Sequence, residues 1–393
     1  MTRKEEIEKL VETSAPVFEE TSDKIWGYAE LCYEETQSSA LQKKVLRELG
    51  FSIQEVKNMP TAFIASYGEG HPIVAILGEY DALANLNQEA DCDVHKPMEP
   101  GKPGHGCGHN LLGTASMCAV NAVKNYLQAH NLPGTIRYYG CPAEEGGSAK
   151  TFMVRDGLFK DCDIELSWHP AQFNYGWDGK ECLGTYNILF KFKGIAAHAA
   201  ACPQLGRSAL DACELMNVGV NYLREHIISE ARVHYAYLNA GGTAPNVVPA
   251  EAELSYVIRA PKMSDMYDIA DRVIDCAKGA ALMTSTQMSY KVVSGTSNLI
   301  STKIVRDRFD ANIDAFLPIP YTEEELAYAE KFKKTLDSSD EKRLIDSIQR
   351  NYPDKTPAEV RAMYEQPMAN WYCHEYGNGA STDAGDVSWV VPG

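Results

Sequence analysis

Two histidines and a cysteine lie within five positions in the stretch GHGCGHNLLG, residues 104–113, separated by single glycines. Thiolate and imidazole are the ligands that a borderline-soft divalent metal ion prefers. The glycines make the loop sterically permissive, so Cys107 and His109 could turn toward one ion. The alternative interpretation is a turn with a buried thiol, and His105 is expected to be only a loop residue. The rest of the chain must provide the missing partners if this is a metal site.

Three other segments place acids or a histidine after apolar runs. Asp81 follows such a run in GEYDAL, Glu144 and Glu145 follow residues 135–140 in CPAEEGG, and His169 ends DIELSWHP. Taken singly, they could be a helix N-cap, a solvated turn and a core histidine. Four successive units that each deliver such groups to a strand end form a stronger joint signal. Two neighbouring carboxylates can also divide their roles, one as metal ligand and one as general base.

The middle of the chain carries a second set of polar candidates. His198 lies among alanines in KGIAAHAAACP, Asn246 lies in the proline-framed loop GGTAPNVVP, and Arg259 ends the strand that follows. Imidazole, amide and guanidinium groups together would suit a carboxylate and a developing oxyanion. A surface or capping role is the alternative for each of them.

The elements that must position these groups follow from the hydrophobic pattern. The first fifty residues have helical spacing, and residues 111–127 predict another helix. The apolar runs at 73–77 and 135–140 predict buried strands, and DIELSWHP predicts a third. Strands that alternate with helices and end in polar groups predict an α/β sheet with its site at the carboxyl edge.

The pattern changes near residue 182. NILFKFKG and AEAELSYVIRA alternate between apolar and polar residues, and the helix that starts in GRSALDA has one apolar face. This combination predicts an α+β module with an antiparallel sheet. From about residue 296 the pattern is helical again, and the polar stretch 335–361 predicts a surface insertion. The final NGASTDAGDVSWVVPG predicts a glycine-broken loop and a short strand.

The composition narrows the classes of protein. At 393 residues the chain is long enough for two domains, and 54 acidic against 37 basic residues give a net charge of −17. This balance argues against binding nucleic acid or an anionic membrane through a broad basic surface. The sequence starts with charged residues, so we expect no secretory signal. It has no apolar run of about 18 residues, so we expect no membrane span. The eleven cysteines lack framework spacing, which indicates reduced thiols and a cytoplasmic protein.

Eight motifs resemble a known family, in order and over nearly the whole chain: GEYDAL, GHGCGHN, PAEEGG, SWHP, GIAAHAA, GRSALDA, PNVVP and GDVSW. They resemble the aminoacylase/carboxypeptidase superfamily of dinuclear metallohydrolases, in its Cys-containing amidohydrolase branch. Within that branch the sequence is most similar to the B-type subunits of aminobenzoyl-glutamate hydrolases. The resemblance implies an α/β fold with a split catalytic domain, residues 1–182 and 296–393, whose central mixed sheet is flanked by helices. An α+β dimerisation (lid) domain, residues 183–295, would interrupt it.

The resemblance also implies a site with two divalent metal ions, zinc or manganese, with cobalt also possible. The implied ligands are Cys107, His109, Glu145 and His169. Glu144 would be the general base acting on a metal-activated water, and Asp81 would orient a ligand. His198 would reach the active site of a partner subunit and stabilise the oxyanion, while Asn246 and Arg259 would hold the carboxylate of the substrate.

The implied reaction is hydrolysis of an N-acyl or N-aroyl amino acid that resembles aminobenzoyl-glutamate, or of a small dipeptide. A homodimer is expected, and a mixed assembly is the other option. The family places a further metal-binding histidine after GDVSW, whereas this sequence ends at Gly393 and its last histidine, His374, precedes that segment. The catalytic domain is therefore expected to be incomplete at its end.

Two alternative functions remain at this stage. One is a non-catalytic or partner-dependent subunit that keeps the fold and the lid. The other is a redox or nucleophilic enzyme that uses Cys107 and does not depend on metal.

Overall fold

The structure is a computed structural model that describes residues 1–171, 182–366 and 380–393. The described residues divide into two compact units. Unit 1 comprises the described parts of Met1–Gly179, Ile300–Asn378 and Val387–Gly393. Unit 2 comprises those of Lys180–Leu299 and Gly379–Asp386.

A five-stranded mixed sheet organises unit 1. The elements up to the end of this sheet are α1 (Arg3–Tyr28), α2 (Thr36–Glu48), β1 (Ser52–Glu55), β2 (Phe63–Glu69), β3 (Ile73–Glu79), α3 (His109–His130), β4 (Gly134–Cys141), α4 (Ala149–Arg155) and β5 (Ile164–Leu166). The strand order is β1-β2-β4-β3-β5. Strands β3, β4 and β5 are parallel, whereas β1 and β2 are antiparallel to their neighbours. The predicted helices and buried strands are confirmed, but β1 and β2 were not predicted.

Strand β3 lies between β4 and β5, and its apolar run is buried because helices cover the sheet. Helix α3 contacts both β3 and α1. Gly113 makes the close approach possible, because a Cβ atom there would lie 2.5 Å from the backbone oxygen of Glu79. The start of α3 is thereby held against the carboxyl end of β3, where the chemistry-bearing residues gather.

Unit 2 is an α+β module with an antiparallel sheet, as predicted. Its elements are β6 (Gly184–Lys193), α5 (Ala209–Leu223), β7 (Arg232–Asn239), β8 (Glu251–Ala260), α6 (Met263–Thr284) and β9 (Gln287–Thr296), and the strand order is β7-β8-β6-β9. Alternate residues of β6 and β8, including Phe190, Phe192 and Tyr256, are fully buried. They pack with the apolar faces of α5 and α6 into one core, so the alternation in the sequence reports the covered face of the sheet.

Four helices follow unit 2 in the chain: α7 (Lys303–Phe316), α8 (Glu323–Lys333), α9 (Ser338–Asn351) and α10 (Pro357–Glu365). Helices α9 and α10 bury a small cluster of their own, formed by Leu344, Ile348, Val360 and Tyr364. The polar stretch 335–361 is therefore a helical hairpin with a core rather than a plain surface insertion. None of the helices in the described part of the chain is long and apolar enough to cross a membrane.

The predicted short strand in the final segment is wrong. The structure has a short helix, α11 (Ala384–Ser388), and the chain continues its turn so that the backbone N–H of Val391 donates to the oxygen of Val387. Both valines are buried. In a strand, Trp389 would lie on the same face as both valines, yet it is exposed, so the pattern of burial fits a helical turn.

A buried carboxyl group in β5 generates a prediction about pH. Glu165 is 3% exposed, its Oε2 has no hydrogen-bond partner among the described residues, and burial raises its pKa to about 7 against the opposing charge of Lys150. The folded-state pKa of Glu165 lies above its unfolded value, so the protonated carboxyl contributes to the free energy of unfolding. This contribution is complete below about pH 4.5. That contribution is lost as the pH rises through 7. Wild-type stability should therefore fall relative to Glu165→Gln by about 3 kcal/mol between pH 4.5 and 8.

Urea denaturation of both proteins at pH 5 and pH 8 measures this difference. Glu12→Gln is a matched control, because Glu12 is exposed on α1. A gap between wild type and Glu165→Gln that does not change with pH would contradict the assignment.

Candidate metal centre

A buried histidine at the start of α3 is the centre of the site. The side chain of His109 is fully buried, and its Nδ1 lies 3.0 Å from Oδ1 of Asp81, which is also buried. When Nδ1 donates to this carboxylate, Nε2 presents its lone pair to the site. Nε2 has no hydrogen-bond partner in the described residues, although Oε2 of Glu79 lies 3.3 Å away. A buried nitrogen in this condition is a candidate ligand atom, because an unsatisfied polar group is otherwise costly.

Cys107 and His169 meet beside this nitrogen. Sγ of Cys107 lies 3.3 Å from Nε2 of His169, whose Nδ1 lies 2.8 Å from the backbone oxygen of Pro170. Gly108 makes the turn possible: its φ is +80°, and an added Cβ would press on Pro170 at 3.2 Å. The ligand atoms of Cys107, His109 and His169 all lie within 4.8 Å of one another. The neighbouring rings of His109 and His169 lower the pKa of the Cys107 thiol, which favours the thiolate that metals bind.

The paired glutamates approach the same histidine. Glu144 forms a second group with Glu79 and His109, again with ligand atoms within 4.8 Å of one another. Oε1 of Glu145 lies 3.9 Å from Nδ1 of His109 and is buried without a hydrogen-bond partner in the described residues. The backbone N–H of Glu145 donates to Oδ2 of Asp81 at 2.8 Å, which ties the glutamate loop to the carboxylate that orients His109.

A fully buried glutamate, Glu35, stabilises the loop that carries Glu144 and Glu145. Oε1 of Glu35 accepts the backbone N–H of Ala143 at 2.8 Å and that of Tyr33 at 2.9 Å. Ala143 has a φ of +59°, an unfavourable conformation for a residue with a side chain. The hydrogen bond from its backbone N–H to Glu35 stabilises this turn. Burial raises the pKa of Glu35 to about 7. Nothing in the sequence indicated this residue, which lies more than a hundred positions before the loop.

The electrostatic environment favours a cation. Burial disfavours the charged form of His109, yet the hydrogen bond to Asp81, the proximity of Cys107 and the charge of Glu79 raise its pKa to about 12. Surroundings that stabilise a positive imidazolium so strongly also suit a positive metal ion. The donor set, the unpartnered Nε2 of His109 and this field together fit divalent metal binding. Sequence reasoning missed Glu79, although its position at the end of β3 carried the same signal as Asp81.

A cavity of about 960 Å³ opens beside Cys107 and His169. Trp26 of α1 and Arg343 of α9 also line it. His105 lines it too, but Nε2 of its ring lies 3.1 Å from the backbone oxygen of Ile25, and burial lowers its pKa to about 4. His105 is therefore part of the loop framework rather than of the ligand groups.

Three of the predicted residues belong to unit 2. His198 and Asn246 are exposed on adjacent loops, joined by a hydrogen bond from the N–H of Ala199 to the oxygen of Asn246. Nδ1 of His198 accepts the N–H groups of Ala200 and Ala201, so the neutral ring carries its proton on Nε2. Arg259, at the end of β8, donates to Oγ of Ser381. The structure thus groups six predicted residues in unit 1 and places these three in unit 2, while His374 lies outside the described residues.

The chain is similar in sequence and fold to proteins of one peptidase family. The model of peptidase family M20/M25/M40 matches residues 75–298. The B-type subunit of the p-aminobenzoyl-glutamate hydrolase of Escherichia coli is 44% identical over 391 residues, 98% of this chain and 81% of that protein. The Xaa-Arg dipeptidase of Mus musculus is 30% identical over 299 residues, 71% of this chain and 65% of that protein. A crystal structure of a dinuclear metal-binding M20 peptidase from Bacillus subtilis has a TM-score of 0.62 at 16% identity, covering 97% of this chain and 88% of that one.

The chain belongs to the M20 peptidase family, and it is a hydrolase of amide bonds. Its fold is the mixed α/β fold of that family. Family membership and the two candidate ligand groups support divalent metal ions as the cofactor. These findings do not favour a non-catalytic subunit.

The ligand assignment of Cys107 can be tested through metal content. Cys107→Ala removes the thiolate nearest to His169, so we expect the affinity for Zn²⁺ to fall about tenfold or more. Inductively coupled plasma mass spectrometry after dialysis against a chelating buffer measures the metal that each protein retains. Cys276→Ala, a partly exposed cysteine on α6, is the matched control. Equal retention by Cys107→Ala and wild type would remove Cys107 from the ligand set.

Proposed function

We propose that the protein hydrolyses N-acyl or N-aroyl amino acids resembling aminobenzoyl-glutamate, or small dipeptides, with two divalent metal ions, Zn or Mn, with Co also possible. The observation that carries this proposal is the convergence of Cys107, His169 and the two glutamates around the buried ring of His109. The substrate class is supported by the relatives, which are named for aminobenzoyl-glutamate and for Xaa-Arg dipeptides.

The ligands in this proposal are Cys107, His109, Glu145 and His169. Metal ions bound there would supply Lewis acidity, which activates water and polarises an amide carbonyl. Asp81 holds the ring of His109 through Nδ1, so that Nε2 keeps a fixed direction. His169 is held in the same way, through Nδ1, by the backbone oxygen of Pro170.

Glu144 is the general base in this proposal. It follows the left-handed turn at Ala143, is half-buried, and has a carboxylate oxygen within 4.8 Å of the ligand atoms of His109 and Glu79. Its carboxylate takes the proton of the attacking water and passes a proton to the nitrogen of the leaving amine. The adjacent Glu145 keeps the ligand role, so the two carboxylates divide the work.

The remaining roles fall to unit 2, which we propose as the dimerisation (lid) domain, residues 183–295, between two parts of a catalytic domain, residues 1–182 and 296–393. His198 would stabilise the oxyanion in the active site of the partner subunit of a homodimer, and its Nε2–H is the donor for this task. Asn246 and Arg259 would bind the carboxylate of the substrate. Assembly with a second kind of subunit is also open, because the 44% identical relative is named as one subunit of a hydrolase.

A cytoplasmic location goes with this proposal. The eleven cysteines lack the spacing of a disulfide framework, which suits a reducing compartment.

The direct test is hydrolysis of p-aminobenzoyl-glutamate, acyl amino acids and dipeptides, with added Zn²⁺ or Mn²⁺ and again after chelation. We expect turnover that chelation abolishes and metal restores. Turnover that survives chelation would contradict the proposal and would return thiol chemistry at Cys107 to consideration.

Replacing the general base should separate chemistry from binding. Glu144→Gln keeps the volume but cannot accept a proton, so we expect kcat to fall by about a hundredfold or more with the metal content unchanged. Steady-state kinetics together with metal analysis measures both quantities, and Glu12→Gln is the exposed control. A kcat within about threefold of wild type would exclude Glu144 as the base.

Mixed dimers test whether His198 acts across subunits. His198→Ala and Glu144→Gln should each be nearly inactive alone. When they are mixed after dissociation, hybrid dimers gain one site with both groups intact, and random pairing should restore about a quarter of wild-type activity. If mixing restores no activity although mass spectrometry detects hybrids, His198 does not act on the partner subunit.

A further inference from the structure

A buried ion pair joins the metal centre to α4. Lys150, the second residue of α4, is completely buried, and its Nζ lies 2.7 Å from Oε1 of Glu79 at the end of β3. Oε2 of the same carboxylate lies 3.3 Å from Nε2 of His109. The two oxygens of Glu79 therefore face different partners. Oε1 faces the ammonium group of Lys150, and Oε2 faces Nε2 of His109.

Stability alone is a weak explanation for this pair. Moving an ammonium and a carboxylate out of water costs several kcal/mol per ion, and apolar residues of similar volume often do as well or better. Lysine is almost never fully buried unless it is paired. The burial of Lys150 against Glu79 therefore needs an explanation other than stability. The pair is close enough to the ligand groups for that explanation to be metal binding.

The ligand groups differ in chemistry on the two sides of His109. The sulfur–nitrogen side consists of Cys107 and His169, whereas the oxygen side is formed by the carboxylate of Glu79, with the general base Glu144 beside it. Thiolate and imidazole suit zinc, while carboxylates suit harder ions such as manganese. Loss of a carboxylate on the oxygen side should therefore weaken Mn²⁺ binding more than Zn²⁺ binding.

The formal charges support the same interpretation. Five acidic groups surround the site: Glu79, Asp81, Cys107, Glu144 and Glu145. With all five ionised, the single positive charge of Lys150 leaves four negative charges, which two divalent ions would neutralise. Without Lys150, the five acidic groups would carry one negative charge more than two divalent ions can neutralise.

We propose that Glu79 supplies one carboxylate oxygen to the oxygen side of the metal site, and that Lys150 is the positioning residue that holds Glu79 through its other oxygen. The proposal rests on the proposed metal-dependent function. It assigns a role to two residues outside the ligand set Cys107, His109, Glu145 and His169. It also treats Lys150 as a residue that acts through Glu79 and does not touch the substrate.

The test compares Mn²⁺ and Zn²⁺ affinities of wild type, Lys150→Met, and the double variant Lys150→Met/Glu79→Gln. Calorimetric titration gives the Mn²⁺ affinity, and competition with a chelator gives the Zn²⁺ affinity. Lys124→Met is the matched control: Lys124 is partly buried on α3, donates to the backbone oxygen of Leu49, and lies about 22 Å along the helix from His109.

We expect Lys150→Met to bind Mn²⁺ about tenfold or more weakly, with a smaller loss for Zn²⁺ and none in the control. In the Co²⁺-loaded protein, the thiolate-to-metal charge-transfer absorption from Cys107 should persist. The double variant separates the two explanations, because it removes both buried charges. It should regain thermal stability relative to Lys150→Met while its Mn²⁺ affinity stays low, since the ligand oxygen is lost.

Wild-type Mn²⁺ affinity in the double variant would overturn the proposal and leave the pair a structural role. The double variant also decides the question if Lys150→Met alone does not fold. A wild-type protein that binds no divalent ion and hydrolyses no amide would contradict the proposed function itself. A wild type that binds metal and hydrolyses amides, with variants that bind Mn²⁺ equally well, would contradict only the role of Glu79 and Lys150.

Discussion

The hydrogen bond between Asp81 and His109 fixes the point around which the site is built. Both side chains are fully buried, so no water competes for either partner, and the ring of His109 has one orientation available. This orientation sets where Nε2 lies, and His109 is the residue that both candidate ligand groups share. Asp81 also accepts the N–H of Glu145, so one carboxylate positions the histidine and the glutamate loop together.

The fold brings these partners together because parallel strands present their carboxyl ends at one edge of the sheet. Asp81 follows β3, and the two glutamates follow β4, the neighbouring parallel strand. His109 begins the helix that packs against β3, at a distance that Gly113 permits. The geometry of the candidate metal centre therefore depends on strand register and on a close helix–strand contact, rather than on the loops alone.

The amino-acid sequence was sufficient to predict the α/β unit, the antiparallel module and the convergence of Asp81, Cys107 and His109. These predictions rest on local signals, such as hydrophobic period and polar groups at strand ends. The support of the site could not be predicted in the same way. A lysine in a helix normally indicates solvent, so the burial of Lys150 has no local signal, and Glu35 contacts Ala143 only in the folded chain. The final segment was mispredicted because its valines fit either period over so few residues.

The separate cluster of α9 and α10 has a consequence for how the site meets solvent. Among the described residues four buried side chains form its centre, a much smaller core than that of the sheet, so we expect local opening of this hairpin to cost less free energy than unfolding of the sheet. Arg343 of α9 lines the cavity beside Cys107, so one wall of that cavity belongs to an element with low local stability. Backbone amides of α9 and α10 should then exchange hydrogen sooner than those of β3 and β4. The candidate ligand residues share no side chain with the buried centre of this hairpin, so their positions and its local opening depend on different cores.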